Sequence, residues 1–184
     1  MSERSEKKSS VHTLVIIAFM AAVTCILGPL SIPIGPVPIS FTNLAVYLAV
    51  IILGWKWGTV SYVVYLLIGL VGVPVFSSFT GGAGKLFGPT GGYLIGFILM
   101  AMISGWFVER FERKRVMYVT GMILGTIVCY VLGTGWLAYQ AGMSFQAALS
   151  AGVIPFIPGD LAKIAIAVMV GPVIKKALVH ASLI

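Results

Sequence analysis

Long apolar runs alternate along this chain with short polar or Gly/Pro-rich interruptions, on the length scale of a membrane span. Six runs stand out: about Val11 to Pro29, Phe41 to Leu53, Trp57 to Val71, Gly91 to Val108, Val116 to Gln140 and Ile157 to Val179. At 1.5 Å per residue, about 20 residues cross a hydrocarbon core about 30 Å thick. The pattern predicts an all-α integral membrane protein, a compact bundle of six transmembrane helices. The second and third runs are short for perpendicular spans; they must gain length from their flanks or stay partly buried among the others. The opening MSERSEKKSS reads as a polar tail, 1–10, ahead of a single membrane domain, 11–184. The apolar run after the tail is long and has no small-x-small cleavage site, so it reads as a first membrane helix rather than a signal peptide.

Composition supports lipid as the main solvent. Hydrophobic residues make up 59% and charged residues 9% of the 184, against roughly 25% charged in a typical soluble domain. The net charge of +7 raises the question of nucleic acid, which the placement of the charges answers. Arg4, Lys7 and Lys8 precede the first run, Lys56 lies between the second and third, Arg110, Arg113, Lys114 and Arg115 between the fourth and fifth, and Lys175 and Lys176 close the sixth. These are alternate connections, all on one side of a six-span chain. By the positive-inside rule that side and both termini are cytoplasmic, and the basic excess reports topology, with no nucleic acid implied.

The outer connections, SIPIGPVPIS, GVPVFSSFTGGAGKLFGPT and AGMSFQAALSAGVIPFIPG, are longer and rich in Gly, Pro and Ser. Irregular backbone at membrane depth is tolerated where it lines a cavity, so an outward-facing binding site is expected there. TGGAGKLFGPTGGY superficially resembles a phosphate loop, but that loop needs G-x-x-x-x-G-K followed by Ser or Thr. Phe79 stands five before Gly84 and Leu86 follows Lys85, so two fixed positions fail. In PFIPGDLAKIAIA, Asp160 is the only acidic residue outside the tail and the cytoplasmic loop, and Lys163 lies three residues on, on the same helical face. Pro158 and Gly159 suggest a turn just before. Two readings of Asp160 stay open: a helix-capping carboxylate with a local ion pair, or a ligand contact, since ionisable groups within spans usually line a functional cavity.

Other candidates are Phe41, Asn43 and Tyr47 at the outer start of the second run; Asn43 fits either a ligand contact or an interhelical bond. Tyr93, Trp136 and Tyr139 suit a pocket or an interfacial belt. Gly121 and Gly125 form a small-x-x-x-small pair suited to helix packing within the chain. Cys25 and Cys129 fall in apolar runs as buried small hydrophobes. His12 and His180 stand alone, which leaves no metal cluster, and no catalytic set appears in the outer half. An enzyme is not expected.

GPVPISFTNLAVYLA, GGAGKLFGPTGGYLIGF and IPFIPGDLAKIAIA, in this order in one six-span chain, closely resemble the BioY family, the biotin-specific S-components of energy-coupling-factor (ECF) transporters. The likeness covers almost the whole chain after the tail. It implies a multi-pass subunit of a prokaryotic plasma membrane, surrounded by lipid, that captures biotin outside and has no ATPase of its own. It further implies partnership with a transmembrane T-component and two cytoplasmic ATPases, and toppling of the loaded subunit in the membrane. Biotin is the transported ligand and no cofactor is implied. Asp160 and Lys163 match family biotin-binding positions. Phe41, Asn43, Tyr47, Gly82, Thr90, Gly91, Gly92 and Tyr93 complete the expected biotin-binding set, although Asn43 departs from the Gln or Thr of many members. Ala18 and Ala22 fit the small-residue face on which S-components dock the T-component. Asp160 would accept from the ureido N–H; Lys163 would donate to the ureido oxygen or balance the carboxylate. Residues 80–93 are a candidate lid, with Lys85 near the carboxylate tail of biotin. The alternative is a self-sufficient secondary transporter or channel for biotin or another small vitamin; the lack of an internal repeat and of a second intramembrane carboxylate opposes it.

Overall fold

The computed structural model describes the backbone at residues 2–112, 114–181 and 183–184, and the side chains at these positions from Val11 onward. The expected polar tail, 1–10, and the basic residue Arg113 therefore lie outside the described side chains. The chain order is α1 (Ser2–Leu27), β1 (Ser31–Ile32), β2 (Ile39–Ser40), α2 (Thr42–Leu70), α3 (Ala83–Leu86), α4 (Gly91–Arg110), α5 (Arg115–Ala141), α6 (Phe145–Gly152), a 3₁₀ turn (Ile154–Phe156) and α7 (Ile157–His180). By length and composition α4, α5 and the run from Phe145 to His180 can each cross a membrane, Val11–Leu27 is a shorter apolar helix, and α2 is as long and apolar but broken within.

The two short apolar runs join into α2, but Gly54 inside it has φ 81° and ψ 180°, a conformation essentially restricted to glycine. There the chain reverses within one residue. A Cβ on Gly58 would stand 2.8 Å from the Cα of Val50, so the halves 42–53 and 55–70 lie against each other. At 1.5 Å per residue each half is only about 18 to 24 Å long, short of a full perpendicular span as their apolar lengths suggested. The six-helix bundle thus comprises α1, the two halves of α2, α4, α5 and α7.

Helix contact is closest where side chains are small. A Cβ on Gly121 of α5 would collide with Phe107 of α4, and one on Gly125 would stand 2.8 Å from Ser104 Oγ, which is the intramolecular packing their spacing suggested. Buried phenols need partners where no water reaches. Tyr62 donates to the Leu94 carbonyl at 2.7 Å and Tyr65 to the Val75 carbonyl at 3.1 Å.

The two ends of the bundle are built differently. At the end whose basic connections predict it to be cytoplasmic, Glu109 Oε1 accepts from the Trp55 N–H at 2.9 Å, and Lys175 pairs with Glu112 at 4.0 Å. His12 and Leu183 line one groove with Leu53 and Trp57, beside the Gly54 turn. At the outer end, β1 and β2 pair antiparallel, Ser31 with Ser40 and Ile32 with Ile39. Ser31 Oγ accepts from the Ser78 N–H at 2.8 Å, which ties this hairpin to the 71–90 connection. That tie is strained, for Ser78 and Phe79 have φ of 61° and 55°.

Two local expectations are corrected. Pro158 and Gly159 do not form a turn ahead of the last helix: α7 begins at Ile157, and a proline in a first turn lacks only an N–H that would be unpaired there. The third outer connection is not wholly irregular, because Ser144 caps α6 by accepting from the Ala147 N–H at 3.3 Å.

Candidate functional site

Between the outer ends of α2, α4, α5 and α7 lies a narrow cleft of about 60 Å³. Its apolar wall includes Val37, Leu94, Phe97, Met100 and Phe156, and its polar groups include Asn43, Tyr130, Asp160 and Lys163.

These four polar residues come from three helices and form one cluster. Asp160 and Lys163 sit one helical turn apart near the start of α7, and each is only 7% exposed. Lys163 Nζ donates to Asp160 Oδ1 at 3.0 Å and to the Ser40 carbonyl of β2 at 2.7 Å. Asn43, in the first turn of α2, donates through Nδ2 to the same Oδ1 at 2.8 Å. Tyr130, halfway along α5, donates to Oδ2 at 2.6 Å. Lys163 Nζ also lies 6.0 Å from the ring centre of Phe41, within reach of a cation–π contact.

Asp160 therefore does not cap its helix; the N-cap, Phe156, makes no side-chain cap, and the carboxylate turns inward to three donors. An ammonium has three donors and a carboxylate about four acceptor positions. Lys163 thus retains one N–H, Asn43 one amide N–H, and Asp160 one acceptor position. A ligand group presenting a donor beside an acceptor can join this cluster without displacing any bond.

Other expected site residues occupy several positions. Thr90 and Tyr93 line the cleft. Tyr47 lies behind it, fully buried, with its hydroxyl 2.5 Å from that of Thr126, a cleft residue. Gly91 and Gly92 pack against α5 and the end of α3: a Cβ on Gly91 would collide with the Leu86 carbonyl, and one on Gly92 with Trp136. Phe41 is exposed at the N-cap of α2, and Gly82, with φ 86°, precedes α3. Trp136 donates to the Gly88 carbonyl at 2.9 Å, and Tyr139 is largely exposed; neither lines the cleft. Lys85 is half-buried on α3, and burial lowers its pKa, yet it is not among the cleft residues.

Tyr130 was missed in the sequence, although a signal was present. Thr126, Tyr130 and Thr134 recur at a spacing of four along an otherwise apolar span, so their hydroxyls share one face. All three find inward partners: Tyr47, Asp160 and, at 3.4 Å, the Tyr93 hydroxyl.

A family model described as "BioY family" matches residues 2–180. The chain belongs to the BioY family. "Biotin transporter BioY2" of Lactococcus lactis is 33% identical over 174 residues, covering 95% of this chain and 96% of that one. "Probable biotin transporter BioY" of Pyrococcus horikoshii is 39% identical over 155 residues, with 84% and 91% covered. A crystal structure at 2.1 Å of "the S-component for biotin from an ECF-type ABC transporter" superposes with a TM-score of 0.85 at 33% identity, covering 92% of this chain and 93% of the other. The BioY chain described here shares that S-component fold and is a multi-pass membrane transporter subunit.

Proposed function

We propose that this chain is the biotin-capturing S-component of an ECF vitamin transporter, with its site open to the outside and its energy supplied by partner subunits. The observation that carries the reading is the buried Asn43–Tyr130–Asp160–Lys163 cluster, set in the outer cleft of a fold shared with a solved biotin S-component. Its residual N–H donors and its free acceptor position suit a ureido ring, whose carbonyl accepts while its N–H groups donate. The apolar wall suits the thioether ring and the alkyl chain. A ligand without the ureido group would bury this cluster unmatched, at a cost of about 1 to 3 kcal/mol.

Transport requires partners in this reading: a T-component in the membrane and two ATPases on the cytoplasmic side. Ala18 and Ala22 of α1 both face outward, flanked by exposed Leu14, Phe19 and Ile26. A stripe with small residues four apart lets another helix approach closely, which supports these alanines as the docking face.

Purified protein should retain biotin, and calorimetry should show saturable binding without ATP. Vesicles containing the chain alone should not accumulate biotin; adding the partner subunits should confer ATP-dependent uptake. Changing Ala18 and Ala22 together to Trp should abolish that uptake and leave binding intact. No binding by the purified chain overturns the biotin reading, whereas accumulation by the chain alone would favour a self-sufficient transporter.

A further inference from the structure

A second and larger cavity opens from the side of the bundle. Helix α5 packs extensively on α4 but meets α7 sparsely, and the gap is a groove of about 370 Å³ between α5, α6 and α7. Its walls include Ile127 and Val131 of α5, Phe145 and Leu149 of α6, and Ile157 and Leu161 of α7, all exposed on the outside of the bundle. Its floor includes Thr126, Tyr130 and Asp160, which also line the outer cleft. One layer of side chains, joined by the 2.6 Å bond from Tyr130 to Asp160, therefore separates the groove from the cleft.

The groove calls for an occupant that is apolar, thin and drawn from the outer leaflet. Asp160 is the one charged residue in its lining, and that carboxylate is bonded to Asn43, Tyr130 and Lys163. The Thr126 hydroxyl donates to the Met122 carbonyl at 2.6 Å, so the floor asks for no polar partner. Helices associate in a membrane through small residues that let backbones approach, as Gly121 and Gly125 do within this chain. The groove instead presents large branched and aromatic side chains, which hold a neighbouring helix off and which a flexible hydrocarbon chain can follow. Depth is set by α6, whose Phe145 and Leu149 line the groove while exposed Gln146 and Ser150 do not. A short amphipathic helix of this kind lies in the membrane interface with its apolar side toward the acyl region. The groove thus begins directly beneath the outer headgroup layer.

We propose that this groove is a lipid site, in which one acyl chain of an outer-leaflet phospholipid lies against the Tyr130 and Asp160 side chains. The site does not depend on which ligand the cleft takes. The chain is held by packing against fixed side chains on three helices, and the head group stays at the interface, where no charged residue of the groove reads it. By filling the gap between α5 and α7, the chain seals the polar cluster of the cleft from the side.

The test places the purified full-length chain in phosphatidylcholine nanodiscs containing a phosphatidylcholine with a mid-chain diazirine, irradiates them, and maps the labelled residues by mass spectrometry. Leu132 and Ile95 are exposed but do not line the groove, so they serve as lipid-facing references. Label at Val131 and Leu161 should exceed that at the references at least about fivefold. The ratio should persist when both lipids carry phosphatidylglycerol head groups. Leu161→Trp, which fills the groove, should cut the label at Val131 at least about threefold and leave Leu132 unchanged; Ile127→Phe takes its place if that variant does not fold. Equal label at Val131 and Leu132, as ordinary boundary lipid would give, overturns the site. A ratio seen with one head group only overturns the acyl-chain basis of binding. Groove residues that stay unlabelled while two copies crosslink across them overturn it in favour of a second copy of the chain.

Discussion

The outer and cytoplasmic ends of this bundle use the same helices for opposite purposes. At the cytoplasmic end the helices are joined by Gly54 alone and by residues 111–114, whereas the outer connections are 28–41, 71–90 and 142–156. The short connections bring polar groups directly onto one another: Glu109 meets the Trp55 N–H, and Tyr118 donates to the Glu112 carbonyl at 2.8 Å. The long ones leave a cleft in which Lys163, Asn43 and Asp160 keep bonding capacity and the Thr90 hydroxyl has no hydrogen-bond partner. A closed base and an unsaturated mouth suit a subunit that holds its ligand at one end. The comparison makes a sharp claim: changes at the base should alter stability and spare affinity, and changes at the mouth should do the reverse.

The largest effect is expected at Gly54. Valine there would have to adopt φ 81°, and its Cβ would collide with Glu109, so Gly54→Val should lower stability by about 3 kcal/mol. Thermal unfolding in detergent should show the loss, while the folded fraction binds biotin as before. A normal melting temperature would mean that the base is less closed than its geometry implies. At the mouth, Asp160→Asn removes the counter-charge of Lys163 and one acceptor for the ureido group. Biotin affinity should fall at least tenfold, or about 1.4 kcal/mol. Unchanged affinity in a calorimetric titration would remove Asp160 from the ligand contacts.

Tyr130 tests whether the mouth works as a cluster. Tyr130→Phe deletes the 2.6 Å bond to Asp160 Oδ2 and leaves the ring in place, freeing that oxygen to rotate. Affinity should fall about fivefold, close to 1 kcal/mol. An additive loss in the double variant with Asp160→Asn would show that the phenol acts on something other than the carboxylate.

How far these features could be read from the chain depended on how local their causes are. The helix starts at Gly91 and Ile157 match the ends of apolar runs, because lipid imposes length on each span separately. Asp160 and Lys163 stood out because a charge within a span is costly wherever it packs. The Gly54 reversal was hidden, since Gly54, Trp55 and Lys56 together read equally well as the connection and only the backbone shows how little chain it takes. Helix α6 was hidden by flanking Gly, Ser and Pro. The role of Tyr130 depends on Asp160, 30 residues away, and the Asn43 bond spans 117 residues; the four-residue spacing of Thr126, Tyr130 and Thr134 marks a polar face but not its partners. Lys85 had no neighbour in sequence to say which way it points, and in the structure it lies away from the cleft lining.

The smallest effect, and the cleanest separation of the two ends, is expected at Glu109. Its carboxylate accepts from Trp55, the first N–H of the second half of α2, at the helix end where negative charge is favoured. Glu109→Ala removes both the bond and the charge without forcing a clash, so it isolates what the cap contributes from the backbone strain that dominates at Gly54. Stability should fall by about 1 kcal/mol, and the loss should shrink at high salt only by its electrostatic share. Biotin affinity should stay within about twofold of wild type, because the cap lies at the opposite end of α4 from Thr90. A larger affinity change would mean that the base transmits strain along α4 to the mouth, and the two ends would then have to be treated as one coupled element.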